Sequence, residues 1–333
     1  MQLNKIYNMD FLNNTIPDKS IQLIIADPPY FEVKGEFDFV WKSFDDYLED
    51  VEKWAIECKR ILADNGSLFW WGHSKKIAYT QIILDKYFKL ENSLIWQKTD
   101  SIQYQYYSVD LSRSFNTHNE RLLFYSNDYD PSDWNKTGLE RIMEEHIRPR
   151  HPFALYLKSE FEKANVTNKE ISKLFPSKTG GLTGCVSNWI NGNNVITKEQ
   201  YITIKEYLNG EYLRKEYEDL RKEYEDLRKE YEDLRRPFNN TKKIEEVLKY
   251  SQESSNTKKY NHPTQKAEKL TSDLILVTTR ENDTVCVPFA GSGTECAMSI
   301  KHKRNFIGFD IDPNHVETAT NRVRHHLSNP TLF

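Results

Sequence analysis

The chain has few cysteines, no long apolar run and no strong excess of either charge. Its four cysteines, Cys58, Cys185, Cys286 and Cys296, are scattered through 333 residues without a CxxC or Cys/His ligand spacing. That pattern argues against a disulfide framework and against a structural zinc or other metal site. It fits a reduced, cytoplasmic protein. No stretch approaches the roughly 20 apolar residues that span a bilayer, so no membrane association is expected. Asp10 and Asn13 interrupt the first apolar residues, unlike a signal peptide. The net charge of −4 gives no global pull toward nucleic acid, although a local basic surface is all that binding requires. The GxxxxGK[ST] phosphate loop is absent, which argues against ATP.

What is present is an alternation of strands and helices. Ile21 to Ala26 is a short apolar run of the kind a buried parallel strand shows, and Asp27-Pro28-Pro29-Tyr30 stops it. Helical periodicity runs from Asp45 to Leu62. Ser67 to Trp71 follows as a strand, then Lys75 to Tyr87 as a helix, then Leu90 to Trp96 and Arg121 to Tyr125 as strands. Near the C-terminus a βαβα unit is expected from strands at 284–287 and 306–310 and helices at 294–301 and 313–327. A helix at 267–276 precedes it. The fold class expected is α/β, a doubly wound and mostly parallel sheet carrying a helical insert.

The middle of the chain differs. Phe153 to Ala164 is helical, and Thr167-Asn168-Lys169-Glu170 fits a capping box opening a second helix. After a glycine-rich turn comes Cys185 to Ile190. This resembles a helix-turn-helix with a long turn, or else a small helical insert that only packs. Residues 215–235 are three identical units of Lys-Glu-Tyr-Glu-Asp-Leu-Arg. Their Tyr/Leu seam is a heptad stripe that either pairs two chains as a homodimer or packs on the same chain. A polar stretch from Asn239 to Tyr260 is expected to hold one helix. The domain reading is 1–150 and 246–333 as two parts of one domain, with 151–245 inserted.

Two segments carry chemistry. Gly291 and Gly293 lie between a strand and a helix, and Asp310 ends the next strand 19 residues past Gly291. In a nucleotide-binding unit, glycine there lets the backbone approach a ligand, and the acid accepts from ribose hydroxyls. The third glycine of the dinucleotide fingerprint is missing. In Asp27-Pro28-Pro29-Tyr30, the prolines stiffen the loop. The Asp27 carboxylate and the Pro28 carbonyl can then accept from one NH₂ group and turn its lone pair toward an electrophile. Tyr30 offers its ring face to an unstacked base.

Together these motifs resemble the β group of DNA amino-methyltransferases, in which D-P-P-Y lies near the N-terminus and F-x-G-x-G near the C-terminus. Here Asp27 precedes Phe289-Ala290-Gly291-Ser292-Gly293 by more than 260 residues, which matches that permuted order. The resemblance covers roughly residues 3–127 and 260–326. It implies a circularly permuted Rossmann-like fold, the cofactor S-adenosyl-L-methionine and double-stranded DNA as substrate. It also implies roles for residues. Asn261 to Lys266 resembles the family's H-P-T-Q-K-P segment, so Thr264 and Lys266, with Ser292 and Thr294, would reach the cofactor's methionine carboxylate. Asp10 resembles the acid near the cofactor's adenine. Asn119-Glu120-Arg121 resembles the segment lining the target-base pocket. Three positions depart from the pattern: Val287 for Asp, Ala267 for Pro and Met9 for Gly.

The function expected is site-specific adenine-N6 methylation by direct transfer to a flipped base, in a restriction-modification system or as an orphan enzyme. No Pro-Cys nucleophile is present, so no covalent intermediate is expected. Cytosine-N4 methylation is the nearest alternative, although the N4 enzymes of the family more often carry Ser where Asp27 stands. Enzymes that methylate protein glutamine or RNA generally have the reverse motif order. A non-enzymatic DNA-binding regulator would leave both motifs without a purpose. Ser187 and Asn188, in the helix-turn-helix, are the expected base-reading residues. A cognate restriction endonuclease is the partner expected in a restriction-modification system, and none is expected for an orphan enzyme.

Overall fold

The computed structural model describes residues 1–33, 38, 40–99, 119–127, 147–252 and 265–328. It divides into two compact units, Met1–Asp130 with Arg236–Phe333, and Pro131–Arg235.

Among the described residues, the first unit is built on eight strands: β1 Lys5–Asn8, β2 Ile21–Ala26, β3 Leu62–Gly72, β4 Lys89–Lys98, β5 Asn119–Ser126, β6 Val247–Tyr250, β7 Thr284–Val287 and β8 Asn305–Asp310. They form one sheet in the order β1-β8-β7-β2-β3-β5-β4-β6. Every neighbouring pair is parallel except the two that β5 makes. The mostly parallel sheet expected from the sequence is therefore present.

Successive residues of β2 and β3 face opposite sides, and both sides are buried. Ile24, Ala26, Leu68 and Trp70 pack with the helix Phe44–Ile61. Leu23, Ile25, Phe69 and Trp71 pack with residues of the helices Glu268–Thr278 and Thr294–Lys301. A strand covered on both faces has no polar side, which is why Ile21–Ala26 reads as a continuous apolar run. The helix Phe44–Ile61 starts at a capping box, Ser43 with Asp46, and buries Tyr47, Val51, Trp54, Ala55, Cys58 and Ile61.

One element differs from expectation. Where Asn239 to Tyr260 was expected to hold a helix, the described part holds the strand β6, paired parallel to β4. Its Leu248 is buried between exposed Val247 and Lys249, a period of two too short to register in a polar sequence. Residues 253–264, which include Thr264, lie outside the described residues.

The second unit is helical: Pro152–Lys163, Asn168–Ser172, Cys185–Ile190, Lys198–Tyr207 and Tyr217–Leu234. The capping box read at Thr167 and Glu170 forms with both of its bonds. Phe153, Leu157, Ile171, Val186, Trp189 and Ile204 build the unit's core. The heptad segment forms the helix Tyr217–Leu234, and its first repeat faces inward on the same chain. The Tyr217 hydroxyl donates to the Ile196 carbonyl at 3.0 Å, and Leu220 is 1% exposed. Tyr224 packs against His151 at 4.9 Å between ring centroids. Leu234, in the third repeat, is exposed.

Candidate active site

In an open parallel sheet, ligands collect at the carboxyl ends of the strands. Here that edge gathers the residues singled out in the sequence. Asp27 follows β2 directly, and the turn at 288–293 follows β7, which pairs with β2. Asp310 ends β8, and Asp10 follows β1. The reversal of β5 matters most. Because β5 runs against β3 and β4, its first residues lie at their carboxyl ends, and Glu120 is opposite Trp96. A strand in the common direction would have carried Glu120 to the far edge.

Asp27, Tyr30, Glu120 and Lys266 form one network. The Tyr30 hydroxyl donates to Asp27 Oδ1 at 2.7 Å. Lys266 Nζ lies 2.9 Å from Asp27 Oδ2 and 2.8 Å from Glu120 Oε2. Lys98, at the end of β4, pairs with the other oxygen of Glu120. The Tyr30 backbone N–H donates to Asp38, which fixes the loop. The Lys266 ammonium also lies 4.7 Å from the centre of the buried Trp71 ring.

Burial would raise both acids, but their surroundings separate them. At Glu120 the ammonium groups of Lys266 and Lys98 outweigh burial and hold the carboxyl at about 2. At Asp27 burial prevails over Lys266, and repulsion from Glu120 adds to it, so the pKa is raised. Lys266 is itself buried, yet the two carboxylates raise its pKa and keep it charged. Tyr30 is pushed well up by burial and by Asp27, so it donates as a neutral phenol.

The glycine turn is shaped by backbone demands. Gly291 and Gly293 have φ of 47° and 74°. A Cβ on Gly293 would stand 2.6 Å from that of Ala319, so a side chain is excluded on two counts. The Gly291 N–H donates to Asp310 Oδ2 at 2.8 Å, and the Ala290 N–H to the Phe309 carbonyl at 2.7 Å. Asp310 Oδ1 accepts from the Asp312 N–H at 2.9 Å. Asp310 thus holds the turn in place. Phe289 packs edge-on against Trp54.

Ser292 and Thr294 are buried, with their hydroxyls 3.2 Å apart. Behind them lies Arg322, whose side chain is fully buried. Its Nη1 donates to Thr294 Oγ1 at 2.7 Å and Nη2 to Glu268 at 2.7 Å. Asp10 stands apart from these contacts. Its carboxylate accepts from the Leu12 N–H and caps the short 3-10 helix Phe11–Asn13. In the second unit Ser187 is exposed, while the Asn188 side chain accepts from Asn193.

Lys98, Glu268, Glu295 and Arg322 escaped sequence reading. Each is an ordinary charged residue in a helix or strand, and only burial in three dimensions sets it apart. Lys266 and Glu120 were singled out, but nothing in their spacing joined them to Asp27.

A profile of the DNA methylase family N6_N4_Mtase matches residues 21–321. The type II methyltransferase M1.MboII of Moraxella bovis is 24% identical over 326 residues, 96% of each chain. M2.LlaDCHI of Lactococcus lactis subsp. cremoris is 34% identical, over 92% of this chain and 84% of its own. DNA adenine methyltransferase YhdJ of Escherichia coli is 23% identical, over 92% of this chain and 78% of its own. Among solved structures, the cytosine-N4-specific PvuII DNA methyltransferase superposes with a TM-score of 0.52 at 14% identity. That match covers 95% of this chain and 85% of the other, and is a likeness of fold.

Proposed function

The chain belongs to the N6/N4 DNA methylase family, and from that premise we propose that it is a site-specific adenine-N6 methyltransferase in which Asp27 holds the target amine. The observation that supports this reading most is Asp27 itself. It is a carboxylate at the carboxyl edge of the sheet, beside the glycine turn, held by Tyr30 and Lys266.

The methyl donor of the family is S-adenosyl-L-methionine. The residues present fit it. Gly291 and Gly293 leave room for close backbone approach, and the buried Arg322 behind Ser292 and Thr294 suits a carboxylate. When bound, the donor supplies an electrophilic methyl group on a sulfonium centre.

The remaining work falls to the protein. Asp27 and the Pro28 carbonyl accept from the two N–H groups of the flipped base's amine, and this turns the nitrogen lone pair toward the glycine turn. Lys266 occupies Asp27 before the amine arrives. It can yield that carboxylate because Glu120 remains as its second partner. Tyr30 provides a flat surface for the base and fixes the Asp27 rotamer through its hydroxyl. Lys266 and Lys98 hold Glu120 ionised, while at Asp27 Lys266 opposes the burial that raises its pKa.

In this reading the inserted helical region chooses the DNA site, with Ser187 and Asn188 toward base edges. A restriction endonuclease of the same specificity is the natural partner, and the work is done on cytoplasmic DNA. The reading is tested by nucleoside mass spectrometry of DNA from cells that express the protein. N6-methyladenine is expected. N4-methylcytosine instead would move the chain to the alternative amino-group chemistry, and neither base would refute both.

A further inference from the structure

Glu295 is a buried acid that accepts from its own backbone N–H and has no side-chain partner among the described residues. It lies in the first turn of the helix Thr294–Lys301, is 5% exposed, and its Oε1 has no hydrogen-bond partner among the described residues. Buried carboxyl oxygens are normally satisfied, because leaving one without a donor costs the group's full desolvation. The acids around it are satisfied: Asp27 and Glu120 by Lys266, and Glu268 by Arg322.

The charges that act on Glu295 are those of Asp27, Lys266 and Arg322. Both cations are already committed. Around it Asp27, Glu120 and Glu268 hold the cations Lys98, Lys266 and Arg322, and Lys301 also acts on Glu268. His326, near Glu268, has its pKa lowered by burial and adds little positive charge at neutral pH. Burial and the Asp27 charge hold the Glu295 carboxyl at about 7. Among the described residues nothing supplies an N–H donor to Glu295 Oε1.

The methyl donor carries two positive charges, but they differ as partners. Its sulfonium has no N–H to give. Its α-ammonium has three, on the carbon that also bears the carboxylate. The protein mirrors that zwitterion along three residues. Ser292 and Thr294 present hydroxyls backed by the Arg322 guanidinium at a helix N-terminus, and Glu295 follows Thr294 in the same first turn, within range of the Asp27, Lys266 and Arg322 charges. We propose that Glu295 is the subsite for the α-ammonium group of the donor's methionine moiety. This rests on S-adenosyl-L-methionine being the donor.

The test is calorimetry on the full chain with three probes. S-adenosyl-L-methionine has the ammonium and the sulfonium. S-adenosyl-L-homocysteine keeps the ammonium and lacks the sulfonium. 5′-Methylthioadenosine has neither. Glu295→Gln should weaken both amino-acid probes by about 10- to 100-fold, the worth of one charge-assisted hydrogen bond, and leave methylthioadenosine unchanged. Glu295→Asp, which keeps the charge but shortens its reach, should give a smaller loss for the same two probes. Binding of S-adenosyl-L-homocysteine at pH 7 should release protons in the parent, read as a buffer-dependent heat, and should not in Glu295→Gln. Equal losses for all three probes would make Glu295 merely structural. A loss confined to S-adenosyl-L-methionine would place it at the sulfonium, and no loss would refute the subsite outright. A parent protein that binds none of the three overturns the donor assignment, and the subsite with it.

Discussion

The Lys266 ammonium lies 2.9 Å from the Asp27 carboxylate, the group proposed to hold the substrate amine. One cation therefore bridges two neighbouring acids, helping to hold the Glu120 pKa down and opposing the burial that raises that of Asp27. Lys266→Met should lower methyl transfer by about 10-fold or more at pH 7, because Asp27 then loses its cation and is left with burial and the repulsion of Glu120, which Lys98 still pairs. The sign of the pH effect follows from Asp27. In the proposed mechanism activity needs its ionised form; burial already raises its pKa, and Lys266 is the main influence lowering it. Removing Lys266 raises that pKa further, so the acid limb of the kcat profile should move to higher pH. A limb that stays in place would separate Lys266 from the ionisation of Asp27.

Asp27→Ala should reduce kcat by about 10²–10³, the usual worth of one preorganised contact to the reacting group. Donor affinity should change little, because the glycine turn and Asp310 do not depend on Asp27. Transfer of a tritiated methyl group to duplex DNA and calorimetry with the donor measure the two quantities separately. Near-normal turnover would remove the D-P-P-Y loop from the active site.

Gly293→Ala meets both a positive φ of 74° and the Ala319 Cβ at 2.6 Å. The strain should cost about 1–3 kcal/mol of stability, seen as a lower Tm, and donor affinity should fall as the turn shifts. Gly180 also has positive φ, but open space surrounds its Cβ position. Gly180→Ala should carry the smaller penalty and leave donor binding intact.

The parts of this fold that were legible in sequence are those where local pattern and tertiary role agree. Ile21–Ala26 is a strand because both of its faces are covered, and the same coverage makes it uniformly apolar. Thr167 and Glu170 announce a helix start because a capping box is purely local. The D-P-P-Y loop after β2 and the glycine turn after β7 were legible as loops because rigid and close-approach backbones restrict residue type. The joining of Lys266 and Glu120 to Asp27 was not, since it depends on β5 alone running in reverse, and no local pattern encodes strand direction. Strand β6 was hidden for a related reason: four residues with one buried side chain are too short a period to read.

The three heptads are chemically identical, so their differences come entirely from context. Tyr217 is 8% exposed and its hydroxyl is bonded to Ile196, whereas Tyr231 is half-buried, with Leu234 beside it at 41% exposed. Tyr217→Ala should destabilise the protein by about 2–4 kcal/mol, through lost burial and an unpaired carbonyl. Tyr231→Ala should cost about 1 kcal/mol or less. Chemical denaturation of the two variants compares them directly. Equal losses would mean that the third repeat is buried as deeply as the first.

Glu295 predicts an opposition between stability and ligand binding. Its pKa rises from 4.5 to about 7 in the folded chain. Between those values the folded state binds more protons than the unfolded one, so stability is fully present below 4.5 and is lost as pH rises through about 7. At pH 8 the ligand-free protein carries a buried carboxylate at a penalty on the order of 1–3 kcal/mol. Glu295→Gln removes the charge and keeps the shape. Its ligand-free Tm should therefore exceed that of the parent at pH 8, and the difference should shrink toward pH 5. Adding S-adenosyl-L-homocysteine should reverse the order at pH 8, because the parent then gains the ammonium contact and the variant does not. Thermal melts at the two pH values, with and without that ligand, measure all four quantities. A variant that melts below the parent without ligand at pH 8 would show that the Glu295 carboxylate is already satisfied in the folded chain.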